Sequence, residues 1–306
     1  MGAGPVGLFL ANECQRRGLR WRLVEARSTQ SEHSKALAIF PRTLEILDMA
    51  GLVGPFMAAA NKVTSVAVIA HGRTLARMPF APGESPYPLI AMVPQNVTER
   101  LLVEQLQQRG GAVEYATSFV TAVEHDDVVT VTLDTNGERR QVRAAFVVGC
   151  DGAHSAIRHL LKLSFEGAQY DDLFMLADIE TNEALPPDQL QLCPSEFGPL
   201  AIFPMSPIRR RVVATVRSAE RRRAIAGAGA VPAGGACAGW TRSTSPALEQ
   251  LLPHPPSACR AAALRAYLHR RRRCAHSQSV RRTGNEHRSP RRLESGVEAR
   301  SRPARS

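Results

Sequence analysis

Three glycines within the first seven residues, Gly2, Gly4 and Gly7, have the GxGxxG spacing of a loop that wraps a dinucleotide pyrophosphate. Glycine lets the chain turn tightly and bring backbone N–H groups against phosphate oxygens. The phosphate then sits at the positive end of the helix beginning near Leu8. The same residues can make an ordinary turn, so the loop needs a second feature to give it meaning. One stands at residues 145–158, AFVVGCDGAHSAIR. Its apolar run over 145–149 predicts a buried strand, followed by an Asp151-Gly152 turn and a helix. Ser155 and Arg158 lie one helical turn on, which suits a second loop facing phosphate. Residues 20–25, RWRLVE, predict another strand with Glu25 at its carboxyl end. An acid about 20 residues beyond the glycines is placed to accept hydrogen bonds from a ribose. The bland reading of Glu25 is a surface acid closing a strand.

The elements that must position these groups alternate along the chain. A helix is predicted from 8 to 17, closed by Gly18. A second spans 42–49, with Leu44, Ile46, Leu47 and Met49 apolar and Gly51 beyond it. A third opens over 96–99 with an Asn or Thr cap and runs to Gln108. Strands are predicted over 113–115, 119–125 and 128–134, and Asn136-Gly137 signals a hairpin turn before another over 141–143. Segments 63–71, 174–180 and 200–216 read as strands of a separate sheet. The fold class is therefore α/β, a Rossmann-like domain joined to a partial β-rich one. Met1 directly precedes Gly2, so the strand that ordinarily feeds the glycine loop is expected to be missing. No run of 18 apolar residues is present to cross a membrane. The apolar stretch at 6–11 is too short, and lacks the basic flank, for a signal peptide. The six cysteines form no CxxC pair, and Cys14 and Cys150 read as reduced thiols, which suits a cytoplasmic protein. Scattered histidines form no metal site, and Ser155 has no partners for a hydrolase triad.

Charge divides the chain in two. Through Arg217 there are 21 basic and 23 acidic side chains, net −2; from Ser218 onward there are 18 and 5, net +13, with no Lys and no Asp. Arginine without lysine, among Ala, Pro, Ser and Gly, is what a GC-rich gene yields when read out of frame. With third bases chosen freely, residues 271–279 (RRRCAHSQS) read one base later encode GDAAHIHSP, and 281–288 (RRTGNEHR) encode GGQGMNTG. At the same offset 289–300 gives LRDAWNLGWKL and 252–257 gives FRIHHR. A frameshift is therefore expected between about Ser218 and Leu252, making 218–306 a disordered, out-of-frame tail. The rival reading is an Arg-rich tail for nucleic acid or membrane. Only Trp240 and Tyr267 there could stack on bases, so no specific nucleic acid and no membrane are expected as partners.

Five segments taken in order, GAGPVGL (2–8), LVEAR (23–27), FPRTLEIL (40–47), VPQNVTERLL (93–102) and GCDGAHSAIR (149–158), resemble the FAD-dependent aromatic hydroxylases. These single-component flavoprotein monooxygenases include phenol and polyketide hydroxylases. The resemblance spans residues 1–217, with one departure: relatives usually carry Arg where His154 stands. It implies an FAD-binding domain over 1–62 and 93–170, and a partial substrate domain over 63–92 and 171–217. By the same resemblance NAD(P)H reduces FAD, dioxygen adds at the flavin C4a, and the hydroperoxide oxygen passes to an electron-rich aromatic carbon. Gly2, Gly4 and Gly7 would face the pyrophosphate and Glu25 the AMP ribose. Arg42 would lie near the flavin or its phosphates, Gln95 would approach the flavin, and Asp151 and Gly152 would serve the FAD phosphates with Arg158 buttressing the turn. For Arg42 the alternative is a solvated helix-end charge, and for Gln95 plain capping. No catalytic residue is singled out. The family's second phosphate loop and its flavin-ring segment occur only in the shifted frame, so the chain as written is expected to be inactive. Two other readings are another FAD-Rossmann enzyme, such as a halogenase or prenyl-chain reductase, and a non-enzymatic nucleotide fold displaying a basic tail. FPRTLEIL and VPQNVTERLL favour the hydroxylase.

Overall fold

The computed structural model describes residues 1–216, apart from 33, 81–82, 84, 168–172, 182–184 and 195–197, together with 250–253. Apolar spacing builds its helices. Helix α1 (Pro5–Arg16) turns Leu8 and Ala11 inward. It begins a turn earlier than the apolar pattern suggests, because Pro5 has its φ pre-set for the first helical position. Helix α2 (Pro41–Met49) buries Leu44 and Leu47, and α3 (Val53–Ala59) buries Phe56. In α4 (Gln95–Gln108) the buried stripe is Glu99, Leu101, Leu102 and Leu106. These helices share one core with Ala3, Leu23, Leu52, Ala91 and Val93.

The predicted Asn or Thr cap of α4 is not used. Its N-cap is Pro94, and no side chain of its own caps it. The Gln95 N–H is instead satisfied from outside the helix, by the Ala36 carbonyl at 3.0 Å and Ser34 Oγ at 3.0 Å. A cap supplied by a segment some sixty residues away leaves no local signature.

Strand β1 (Leu23–Val24) pairs in parallel with β7 (Val113–Glu114), a shorter ladder than the strand predicted over 20–25. The first two residues bridge β1 and the segment at 148–150. The Gly2 N–H donates to the Val24 carbonyl at 2.9 Å, and the Met1 carbonyl accepts from the Cys150 N–H at 2.7 Å. The buried strand predicted over 145–149 is not formed. Among the described residues that segment joins no ladder, Met1 bonds its carboxyl end at Val148 and Cys150, and Phe146 is 59% exposed.

An antiparallel meander follows β7: β8 (Thr117–His125), β9 (Val128–Thr135) and β10 (Glu138–Ala144). Alternation along β9 sends Val129, Val131 and Leu133 into a second core. Asn136 and Gly137 turn the chain with φ of 53° and 87°, the paired left-handed geometry of a tight hairpin. A small sheet joins β2 (Ala38–Ile39), β6 (Ile90–Met92) and β3 (Asn61–Val63).

The largest sheet draws on β4 (Ser65–Ala70), β5 (Arg73–Pro79), β11 (Leu173–Glu180), β12 (Gln189–Cys193), β13 (Leu200–Pro204), β14 (Arg209–Val216) and β15 (Gln250–Pro253). Its order is β15-β11-β14-β13-β12-β4-β5. The single strand read over 200–216 is two, because the chain reverses at 205–208 and the Met205 N–H closes on the Arg209 carbonyl. Within the segment expected to be a disordered tail, β15 pairs antiparallel with β11. The remainder of 218–306 lies outside the described residues.

Candidate functional site

The glycine turn is assembled against the segment that carries Asp151. Gly2 has φ +89°, and a Cβ there would strike the Cys150 carbonyl. A Cβ on Gly7 would collide with the Gly2 carbonyl oxygen and press on the Cys150 Cβ at 3.3 Å. Gly4, the N-cap of α1, has nothing within 4 Å of where a Cβ would stand. The outer glycines therefore lock the turn onto residues 150–151, and the middle one leaves open the face before the helix's first N–H groups. Those groups have no partner inside the helix, which makes the face a place for an anion.

Glu25 closes β1 beside this turn with only 8% of its surface exposed. Its Oε2 accepts the Ala3 N–H at 2.7 Å, and its Oε1 accepts the Arg27 N–H at 3.1 Å and Nε at 2.9 Å. Burial works to raise this carboxyl, but hydrogen bonds from the Arg27 side chain and from the Ala3 and Arg27 backbone outweigh it and hold it below the usual carboxylate range. The stability these bonds contribute is present above pH 4.5 and is lost as acid carries the pH down through the lowered value. An ionised carboxylate oxygen accepts two hydrogen bonds, so Oε2 has room for one more donor.

Asp151 holds the start of the helix that follows the second loop. Its Oδ2 accepts the Ala156 N–H at 2.7 Å and the Ile157 N–H at 3.4 Å, capping α5 (Ala156–Leu160). Its Oδ1 is buried with no hydrogen-bond partner among the described residues. Gly152, at φ +76°, opens a single 3₁₀ turn, Gly152–His154. Arg158 closes that turn by donating to the Ala153 carbonyl at 2.7 Å and lies over the Phe165 ring at 4.5 Å.

The other two expected positions stand elsewhere. Arg42 is exposed on α2, paired with Glu45 at 2.8 Å, and no described contact brings it to the glycine turn. Gln95 anchors residues 34–36: besides its backbone bonds, its Oε1 accepts the Ala36 N–H at 3.4 Å and its Nε2 donates to Glu99 Oε1 at 3.0 Å. Beyond the carboxyl end of β1, Thr29, Gln30, Ser31, Glu32, Asn96 and Arg100 help line a cavity of about 380 Å³. Ligands of open α/β sheets bind at such strand ends.

Glu99 is the residue that motif reading missed. It is 2% exposed, and its Oε2 has no hydrogen-bond partner among the described residues. Burial raises its carboxyl, opposed by the Gln95 hydrogen bond and the Arg27 charge. The i, i+3, i+7 spacing of Glu99, Leu102 and Leu106 could have found it, since it sets all three on the buried stripe. A raised value means that the neutral acid is favoured in the fold, so its stability is complete below pH 4.5 and is lost as pH rises through the raised value. Glu99→Gln is therefore expected to raise the melting temperature at pH 7.5 and to leave it unchanged at pH 4. Thermal unfolding followed by circular dichroism at both pH values checks this. A variant that melts lower than wild type at pH 7.5 would rule it out.

The chain is 33% identical over 215 residues to an uncharacterized aromatic compound monooxygenase of Bacillus subtilis, covering 70% of this chain and 42% of that protein. It thus spans about two-fifths of that relative's length. The fold matches the crystal structure of p-nitrophenol 4-monooxygenase from Pseudomonas putida with a TM-score of 0.66 at 24% identity, over 73% of this chain and 59% of that one. It also matches aklavinone-11 hydroxylase, solved with FAD and aklavinone, with a TM-score of 0.63 at 22% identity, over 74% and 48%. Among the described residues no helix is long and apolar enough to cross a membrane. Residues 1–226 match the family model described as FAD binding domain, and with that match the chain belongs to the FAD-binding domain family of flavin-dependent aromatic and polyketide monooxygenases.

Proposed function

We propose that residues 1–216 hold FAD and part of the substrate sheet of an NAD(P)H-dependent hydroxylase acting on an aromatic compound. The observation that carries this reading is the glycine turn itself. Gly2 and Gly7 are closed against residues 150–151 while Gly4 is left open before α1. The site fits the cofactor in three respects. The open helix end takes the pyrophosphate, the spare acceptor position on Glu25 takes a ribose hydroxyl, and the cavity beyond β1 takes the adenine. Asp151 shapes the second loop by capping α5. Bound FAD would supply the redox chemistry that activates dioxygen for transfer to the ring. The protein residues orient it and exclude water.

The relatives' names support an aromatic substrate. The register break is part of the proposal. The family match ends at residue 226, close to where the charge changes sign at Arg217. In this reading the flavin-ring contacts belong to the shifted frame, and the chain as written holds mainly the ADP half of the cofactor.

Glu25→Ala tests the ribose contact. It should weaken FAD binding by about 1–3 kcal/mol, the cost of leaving hydrogen-bonding groups unpaired. Titration followed by quenching of flavin fluorescence measures it, and unchanged affinity in the variant would remove Glu25 from the site.

A further inference from the structure

Arg211 on β14 and Asp178 on β11 face each other directly in the antiparallel register. Arg211 is 2% exposed and meets Asp178 in a two-pronged pair, Nε to Oδ1 at 2.7 Å and Nη2 to Oδ2 at 2.8 Å. Its remaining nitrogen, Nη1, leaves the sheet altogether. It donates to the Lys35 carbonyl at 3.1 Å and the Ala36 carbonyl at 3.4 Å, some 176 residues away in the chain.

The Ala36 peptide is gripped from its other side as well. The Gln95 N–H donates to its carbonyl and Gln95 Oε1 accepts its N–H, while the Gln95 side chain holds Glu99. A continuous polar chain thus runs from buried Glu99 on α4, through residues 35–36 and buried Arg211, to Asp178 in the large sheet. Only a planar guanidinium can satisfy both carboxylate oxygens and reach two carbonyls at once; a lysine ammonium, a compact point charge, cannot.

We propose that Arg211 is a positioning residue that couples the large sheet to the nucleotide-binding unit by fixing residues 35–36. Ligand binding over the cavity lined by Asn96, next to Gln95, and the opening of the β11–β14 pair are then linked, because Gln95 and Arg211 hold the same peptide. The ligand arm of this coupling rests on the FAD reading; the clamp itself does not.

Amide hydrogen exchange of wild type and Arg211→Lys, each with and without FAD, separates the two. Without ligand, Arg211→Lys should speed exchange of the Gln95 amide at least about tenfold and leave the β8–β10 amides unchanged. With FAD, wild type should slow exchange both in the first turn of α1 and across β11–β14, whereas Arg211→Lys should slow only the first. Loss of the sheet response with the α1 response kept is a result that a merely structural arginine would not give. Unchanged Gln95 exchange in the ligand-free variant, or FAD protection still reaching β11–β14 in it, overturns the proposal. If FAD protects nothing in wild type, the cofactor reading fails, and the ligand-free arm still decides the clamp. Should Arg211→Lys not fold, Asp178→Asn, which keeps the shape and removes the charge, is expected to show the same pattern more weakly.

Discussion

Gly7→Ala is expected to cost about 3 kcal/mol or more of stability, while Gly4→Ala costs about 1 kcal/mol. The added Cβ on Gly7 has the Gly2 carbonyl oxygen in its path, and neither backbone can yield without unseating residues 150–151. At Gly4 the same methyl meets nothing, and the loss is only that alanine is a poorer N-cap than glycine. The order reverses for the ligand. A methyl at Gly4 stands where the pyrophosphate must approach the backbone, so Gly4→Ala should lower FAD affinity at least about tenfold, near 1.4 kcal/mol. Thermal unfolding and FAD titration of both variants measure the contrast. A Gly7→Ala protein that melts like wild type would show that the turn is not packed as described.

The second large effect concerns the coding frame. Sequencing the gene is expected to show a missing or extra base between the codons of Ser218 and Leu252, with GDAAHIHSP and GGQGMNTG in the shifted frame. Restoring that frame should tighten FAD binding by about a hundredfold, near 2.7 kcal/mol. It should also switch on NAD(P)H oxidation that depends on an aromatic substrate, against none from the chain as written. If the actual DNA does not encode those two segments at that offset, the frameshift reading is dead.

What was legible in the sequence follows from how local the cause was. Asn136-Gly137 turns the chain because its own residues tolerate positive φ, and the alternation of Val129, Val131 and Leu133 sets the face of β9 without help from elsewhere. Gly2, Gly4 and Gly7 were readable because their spacing is the geometry. The strand over 145–149 was overread: apolar content argues for burial, but a ladder needs a partner along its length, and among the described residues Met1 alone bonds its end. The cap of α4 and the Arg211–Asp178 clamp were invisible for a related reason. Their partners are Ser34, Lys35 and Ala36, brought near by tertiary structure alone. Glu99 lay between these cases, detectable by helical spacing once α4 was placed, though its proximity to Arg27 was not.

The central claim is that the turn around Gly4 binds the ADP half of FAD, and titration of the 306-residue chain with FAD, with ADP as competitor, tests it most directly. Saturable binding is expected, displaced by ADP at a similar concentration, and Gly4→Ala should lose about tenfold or more in affinity while melting only a few degrees lower. Absence of saturable binding by a folded chain, or binding that Gly4→Ala leaves untouched, would contradict it.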